Sequence, residues 1–189
     1  MNYSTLPSLG NDLKDISPDF QPHRASTVVV SRIVKKAKTP QAIKAFADEC
    51  HKLSDYWYWF VLGTLWVDYT GWSDLQLWKH LFSSNRPNRA SSLMKPSELH
   101  VFNQLPDVIT AARVHRPGED DWISYTISGD AAKRFASKRQ AGAIDLYEFK
   151  RSDALCLFTR RCESELLVID RRLAMHVRSI PVIHKAVPA

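Results

Sequence analysis

The apolar side chains of this chain change their period once, at Leu105-Pro106, and that change limits the folds open to it. Before it, Ile43, Phe46, Ala47, Cys50, Leu53, Trp57, Phe60, Val61, Thr64 and Leu65 recur at steps of three and four, the mark of helices with one buried side. After it, the apolar residues gather in short alternating runs broken by turn residues, as strands do. A helical half followed by short strands with one helix between them predicts an α+β fold, not a parallel doubly wound sheet.

Residues 1–25 mix Pro, Asn, Asp, Ser and Gly and read as a flexible N-terminal arm. The helical part spans 26–105 and the β-rich part 106–189, with the two expected to form one compact unit. Val28-Val29-Val30 with Ile33-Val34 is β-branched and reads as a strand. Thr39-Pro40 offers an N-cap and a first-turn proline. Ser73 and Gln76 have capping-box spacing ahead of Leu75, Trp78, Leu81 and Phe82, and a third helix is expected from Pro96 to about Gln104. Within Tyr56-Trp57-Tyr58-Trp59-Phe60, Trp57 and Phe60 belong on the buried stripe, while Tyr58 and Trp59 lie off it. In the second half, strands are expected at 108–112, 122–127, 143–149, 154–158, 166–169 and 175–183. A helix capped by Ser128 should bury Ala131, Ala132, Phe135 and Ala136.

With 189 residues, 44% of them apolar, the chain is long enough for a real core. The net charge of +6 favours anionic partners and says nothing about fold. Cys50, Cys156 and Cys162 are an odd number without paired spacing, which argues against a disulfide scaffold and for a reducing compartment. No zinc-type Cys/His spacing is present, so no metal is expected. Met1-Asn2-Tyr3-Ser4 lacks a signal-peptide pattern, and Tyr56 to Val67 is too short to span a bilayer. A soluble, cytoplasmic protein is the expectation. Lys133 to Arg139, Arg171-Arg172 and Lys35 to Lys38 read as solvated charge, which makes nucleic acid an unlikely partner. No Ser-His-Asp arrangement, Walker loop or dinucleotide-binding glycine fingerprint occurs.

Arg113 ends an apolar run, Ser124-Tyr125-Thr126 follows, and Glu163-Ser164-Glu165 leads into Leu166-Leu167-Val168-Ile169. Arg, then Ser-x-Thr, then Glu-x-Glu resembles the R-S-E class of mono-ADP-ribosyltransferases, which includes arginine-modifying bacterial toxins and phage enzymes. Leu105-Pro106-Asp107, Ala132-Lys133-Arg134-Phe135-Ala136 and the approach to Glu163 from Arg161 extend the likeness over the C-terminal half. The resemblance implies a split-sheet ADP-ribosyltransferase core with a helical N-terminal segment packed on it. It implies transfer of ADP-ribose from NAD to a protein acceptor, an arginine, since Glu163 stands where other family members have Gln.

Cleavage of NAD leaves a ribosyl oxocarbenium ion, so the site must stabilise positive charge at one sugar carbon. The resemblance gives that role to Glu165, with Ser124 orienting it and Thr126 stiffening the strand pair. Glu163 would orient and deprotonate the acceptor, and would share a side with Glu165 if the backbone between them is extended. Arg113 suits phosphate or ribose oxygens through its rigid fork. Phe135 or Tyr125 would wall the nicotinamide. Thr159-Arg160-Arg161-Cys162 corresponds to the turn that meets the protein substrate, and its arginines imply an acidic patch there. The pattern departs from the family at Ala112 and Val114, which leaves Arg116 as an alternative guanidinium, with His115 beside it as a bystander. The alternative function is a catalytically degenerate copy that works by binding, such as an inhibitor of a bacterial defence complex. A phage source would place either activity in the host cytoplasm.

Overall fold

The computed structural model describes residues 15–69, 71 and 73–183. Among the described residues, seven α-helices precede or punctuate a six-stranded sheet, an α+β arrangement. The chain divides into two compact units, with the division between His100 and Val101, a few residues before the change of period.

In the first unit, α1 (Arg24–Val34) occupies the segment expected to be a strand. Its β-branched residues are helical because Val29, Val30 and Ile33 make a single buried stripe, while Val28 stays exposed. His23 caps this helix through Nδ1, which accepts from the Ser26 amide at 3.2 Å. The expected loose arm is held from Asp15 onward: Asp15 accepts from the Ser97 amide at 2.8 Å, and Ser17 is buried. The rest of that arm, residues 1–14, lies outside the described residues.

The long helical stretch after Pro40 is two helices, α2 (Ala42–Glu49) and α3 (Asp55–Asp68). Thr39 is not the cap, since Gln41 precedes the first helical residue. Leu53 and Ser54 adopt extended backbone and break the run. Arg86 satisfies the carbonyls the break exposes, donating to Leu53 O at 2.9 Å and to Cys50 O at 3.3 Å, and pairs with Asp55 at 3.0 Å. α3 is apolar all round and buried all round, so Tyr58 and Trp59, expected off its stripe, lie in the core. Trp59 is fully buried and donates to Pro87 O at 3.0 Å. α4 (Leu75–Phe82) takes its cap from Asp74, whose carboxylate accepts from Leu77 N, and not from Ser73. The short α5 (Arg89–Leu93) was not expected, and α6 (Pro96–Gln104) has the predicted bounds.

The second unit is antiparallel throughout: β1 (Val108–Arg113), β2 (Ser124–Thr126), β3 (Ala143–Lys150), β4 (Cys156–Phe158), β5 (Glu165–Leu167) and β6 (Met175–Pro181), in the order β4-β5-β2-β1-β3-β6. All six fall within a few residues of their expected places. β1 and β3 pair from Val108–Lys150 to Arg113–Asp145, whereas β1 and β2 pair only at Ala112–Thr126. The sheet is therefore pinched into β4-β5-β2 and β1-β3-β6. Helix α7 (Gly129–Arg139), capped by Ser128, lays Ala132 and Ala136 on Ala112, Val114 and Ile144, with Phe135 half-buried at the margin. On another part of the sheet Tyr125, Tyr147 and Phe149 pack ring against ring, at centroid distances of 5.4 and 5.3 Å from Tyr125.

Candidate active site

The β2–β5 ladder sets Thr126 opposite Glu165 and Ser124 opposite Leu167. Residues two apart on a strand share a face, so Ser124 lies diagonally across from Glu165 on the same side of the pleat. Ser124 Oγ donates to Glu165 Oε1 at 2.5 Å, a charge-assisted bond. Glu165 is about nine-tenths buried, which fixes its carboxylate against the strand pair.

Thr126 works at the other end of the ladder. Its hydroxyl donates to the Glu163 carbonyl and accepts from the Ser128 amide at 3.0 Å. Ser128 Oγ in turn accepts from Ala131 N and caps α7. One threonine hydroxyl thus joins the turn before β5 to the start of the helix.

That turn is unusual. Arg161, Cys162 and Ser164 have φ of 67°, 55° and 44°, a left-handed region that costs side-chain-bearing residues on the order of 1–3 kcal/mol each. Three successive carbonyls hold it in place, each from a different donor. Cys162 O accepts from Arg134 Nη2 at 2.9 Å, Glu163 O from Thr126, and Ser164 O from Ile127 N at 3.1 Å. Glu163 itself is helical in backbone, with φ −102° and ψ −22°. The extended path expected between Glu163 and Glu165 is therefore absent. The two carboxylates converge another way, on Arg161 Nη2, which lies 2.9 Å from Glu163 Oε2 and 3.9 Å from Glu165 Oε2.

Arg113, at the end of β1, meets this group at the backbone of β2. Its Nη1 donates to Ser124 O at 2.9 Å. Its Nε and Nη2 grip Glu119 at 3.3 and 2.5 Å, and both side chains are largely buried. The fork expected to meet a phosphate is thus engaged by a carboxylate of the same chain. Burial pushes the Glu119 carboxyl up, but the His115 hydrogen bond and the Arg113 charge and hydrogen bond outweigh it and hold it at about 2. His115, expected as a bystander, is hydrogen-bonded at both ring nitrogens, with Nδ1 3.2 Å from Glu119 Oε2 and Nε2 2.9 Å from the Tyr147 hydroxyl.

Phe135 stays half-buried, and the Arg139 guanidinium lies 5.2 Å from its ring centroid. Arg139, at the end of α7, donates to the Val114 carbonyl. Burial lowers its pKa, and the charges of Arg113 and Arg116 lower it further, so three guanidiniums share this neighbourhood. Tyr125, the other aromatic considered for a nicotinamide wall, is buried in the core, where Trp122 Nε1 donates to its hydroxyl at 2.9 Å. Burial pushes that hydroxyl up to about 12.

The residues that converge are Ser124, Thr126, Glu163 and Glu165, with Arg113 joined through Ser124 O. Sequence reasoning missed Glu119, Arg139 and the bridging side chain of Arg161. Glu119 stands in the mixed-charge turn Arg116 to Asp121, where no period marks it out. Among the described residues no cluster of His, Cys, Asp or Glu fits a metal ion, and no helix is long and apolar enough to cross a membrane. No protein-family model, no curated protein and no solved structure matches the chain.

Proposed function

We propose that the chain is a mono-ADP-ribosyltransferase of the R-S-E type, taking NAD as substrate and a protein arginine as acceptor. The Ser124–Glu165 hydrogen bond across the β2–β5 ladder carries this reading. It joins two motif residues 41 positions apart in the chain, while the neighbouring strand ends in the third, Arg113. The pinch between β2 and β1 supports a split-sheet ADP-ribosyltransferase core.

Glu165, fixed by Ser124, stabilises the positive charge that grows on the ribose carbon as the nicotinamide bond opens. Glu163 accepts the guanidinium of the incoming arginine and takes up its proton. Arg113 acts mainly as a clasp that sets Ser124, because Glu119 neutralises its fork. The pyrophosphate charge then falls to Arg139 and Arg116, whose mutual repulsion an anion relieves. Phe135 is the aromatic left accessible to the nicotinamide.

Labelled NAD incubated with the protein and bacterial lysate should mark a discrete acceptor, and Glu165→Gln should abolish the mark. Equal labelling by the variant would remove Glu165 from the chemistry.

One observation favours a second reading. With all of Arg113's nitrogens engaged by Glu119 and Ser124 O, the chain fits a degenerate copy that acts by binding a partner, such as a defence complex. In that case NAD leaves thermal stability unchanged and Glu165→Gln keeps the full biological effect.

A further inference from the structure

The Arg161 guanidinium already sits where the proposed chemistry needs an acceptor. Nη2 is 2.9 Å from the Glu163 carboxylate, the group assigned to orient an arginine, and 3.9 Å from that of Glu165. The neighbouring Arg160 is differently placed, with its guanidinium 5.2 Å from the Phe158 ring centroid. The carbonyls of Cys162, Glu163 and Ser164 are held by Arg134, Thr126 and Ile127, not by the Arg161 side chain. Its side chain is 30% exposed, so a small molecule can approach it.

We infer that Arg161 is the chain's own acceptor and receives one ADP-ribose in cis; the inference rests on the transferase reading above. In the step, an Nη of Arg161 bonds to the anomeric carbon of the nicotinamide-bearing ribose. The bond from that carbon to the pyridine nitrogen breaks, and its electron pair leaves with neutral nicotinamide. The proton released from the guanidinium passes to the Glu163 carboxylate and then to water. Nothing is oxidised or reduced, and NAD is the only co-reactant. Tethering supplies the proximity that a separate acceptor must find by diffusion. The same contact means that a foreign arginine reaches Glu163 only after Arg161 has moved aside or been modified.

The test uses the purified full chain with NAD and no other protein, followed by peptide mass mapping, with nicotinamide release measured in the same tube. Agmatine, a free alkylguanidine, is added in a parallel tube. The expected result is one ADP-ribose per chain, on Arg161, at a fractional rate that does not change with protein concentration. Arg161→Lys should lose the mark from this turn. Agmatine labelling with Arg161 unmodified would overturn the inference and leave the transferase reading standing, whereas nicotinamide release with neither guanidine labelled would overturn the inference and reduce the reading to NAD hydrolysis. A mark on Arg160 or elsewhere, or a fractional rate that rises with concentration, would also overturn it. Absence of both nicotinamide release and agmatine labelling would bring down the transferase reading and this inference together.

Discussion

Ser124 Oγ donates to Glu165 Oε1 at 2.5 Å, from a strand whose own backbone is held by Arg113. The bond holds the carboxylate without neutralising it, which a site for developing positive charge requires. Glu165→Gln keeps the shape and can still accept from Ser124, so its melting temperature should stay near wild type. Nicotinamide release should fall by roughly 10²–10³-fold, as when one preorganised electrostatic group is removed from an active site. Ser124→Ala should lose less, because the β5 backbone still directs Glu165. A Ser124→Ala loss larger than that of Glu165→Gln would reverse the assigned roles.

The Glu119–Arg113 pair makes stability depend on pH in a defined direction. The folded carboxyl of Glu119 is held at about 2 against an ordinary 4.5. A carboxyl with a lowered folded pKa stabilises the protein above its unfolded pKa, and that contribution is lost as pH falls from about 4.5 through about 2. Both side chains are largely buried, so solvent screening is slight. Glu119→Gln should cost on the order of 3 kcal/mol at neutral pH, with Arg113 left buried without its counter-charge. The gap to wild type should close toward pH 2. Urea midpoints measured across that range check both the size and the closing.

Much of the fold was legible because it rests on period and capping. The six strands, α6 and α7 all follow local pattern, and Ser128 announced the start of α7. Val28 to Val34 was misleading because β-branched residues signal a strand only when nothing else supplies a buried stripe. There, Val29, Val30 and Ile33 supply one at helical spacing. At the site, Ser124, Thr126 and Glu165 were legible because a regular ladder places them. The path from Glu163 to Glu165 was not, because three left-handed residues without glycine leave no sequence mark. The Glu119–Arg113 pair was hidden for a related reason, since a loop reversal sets it and not a repeat.

Trp59 anchors the first unit. It is fully buried, packs on Tyr58 at a centroid distance of 5.0 Å, and donates to Pro87 O. Trp59→Ala should destabilise this unit by about 3–5 kcal/mol, the cost of a large cavity. Trp59→Phe should cost less, by an amount that includes the unmet Pro87 carbonyl. Chemical denaturation of the full chain reads both values.

Gln140 ends α7 in the left-handed conformation, φ 49°. Its amide bonds Ser137 O at 3.2 Å, and the next amide bonds Ala136 O at 3.0 Å, a Schellman arrangement in which glycine is the usual occupant. Gln140→Gly removes the Cβ conflict while giving the unfolded chain more freedom. The net effect should be a gain of up to about 1 kcal/mol. A lowered melting temperature would mean that the Gln140 side chain contributes more than its backbone costs.

Thr126 offers the sharpest separation of support from chemistry. Its hydroxyl touches no reacting group in the proposed mechanism, yet it holds the Glu163 carbonyl and receives the Ser128 amide. Thr126→Val keeps the β-branched shape and removes both bonds, leaving a carbonyl and an amide unmet at a cost of about 1–3 kcal/mol. The turn is then free to relax from its left-handed backbone, which moves Glu163 while Ser124 still fixes Glu165. Cleavage of NAD by water should therefore survive in Thr126→Val, while transfer to agmatine falls. Serine at this position keeps the hydroxyl and should restore most of the transfer. Equal loss of hydrolysis and transfer would show that Thr126 supports the whole site and not the acceptor side alone.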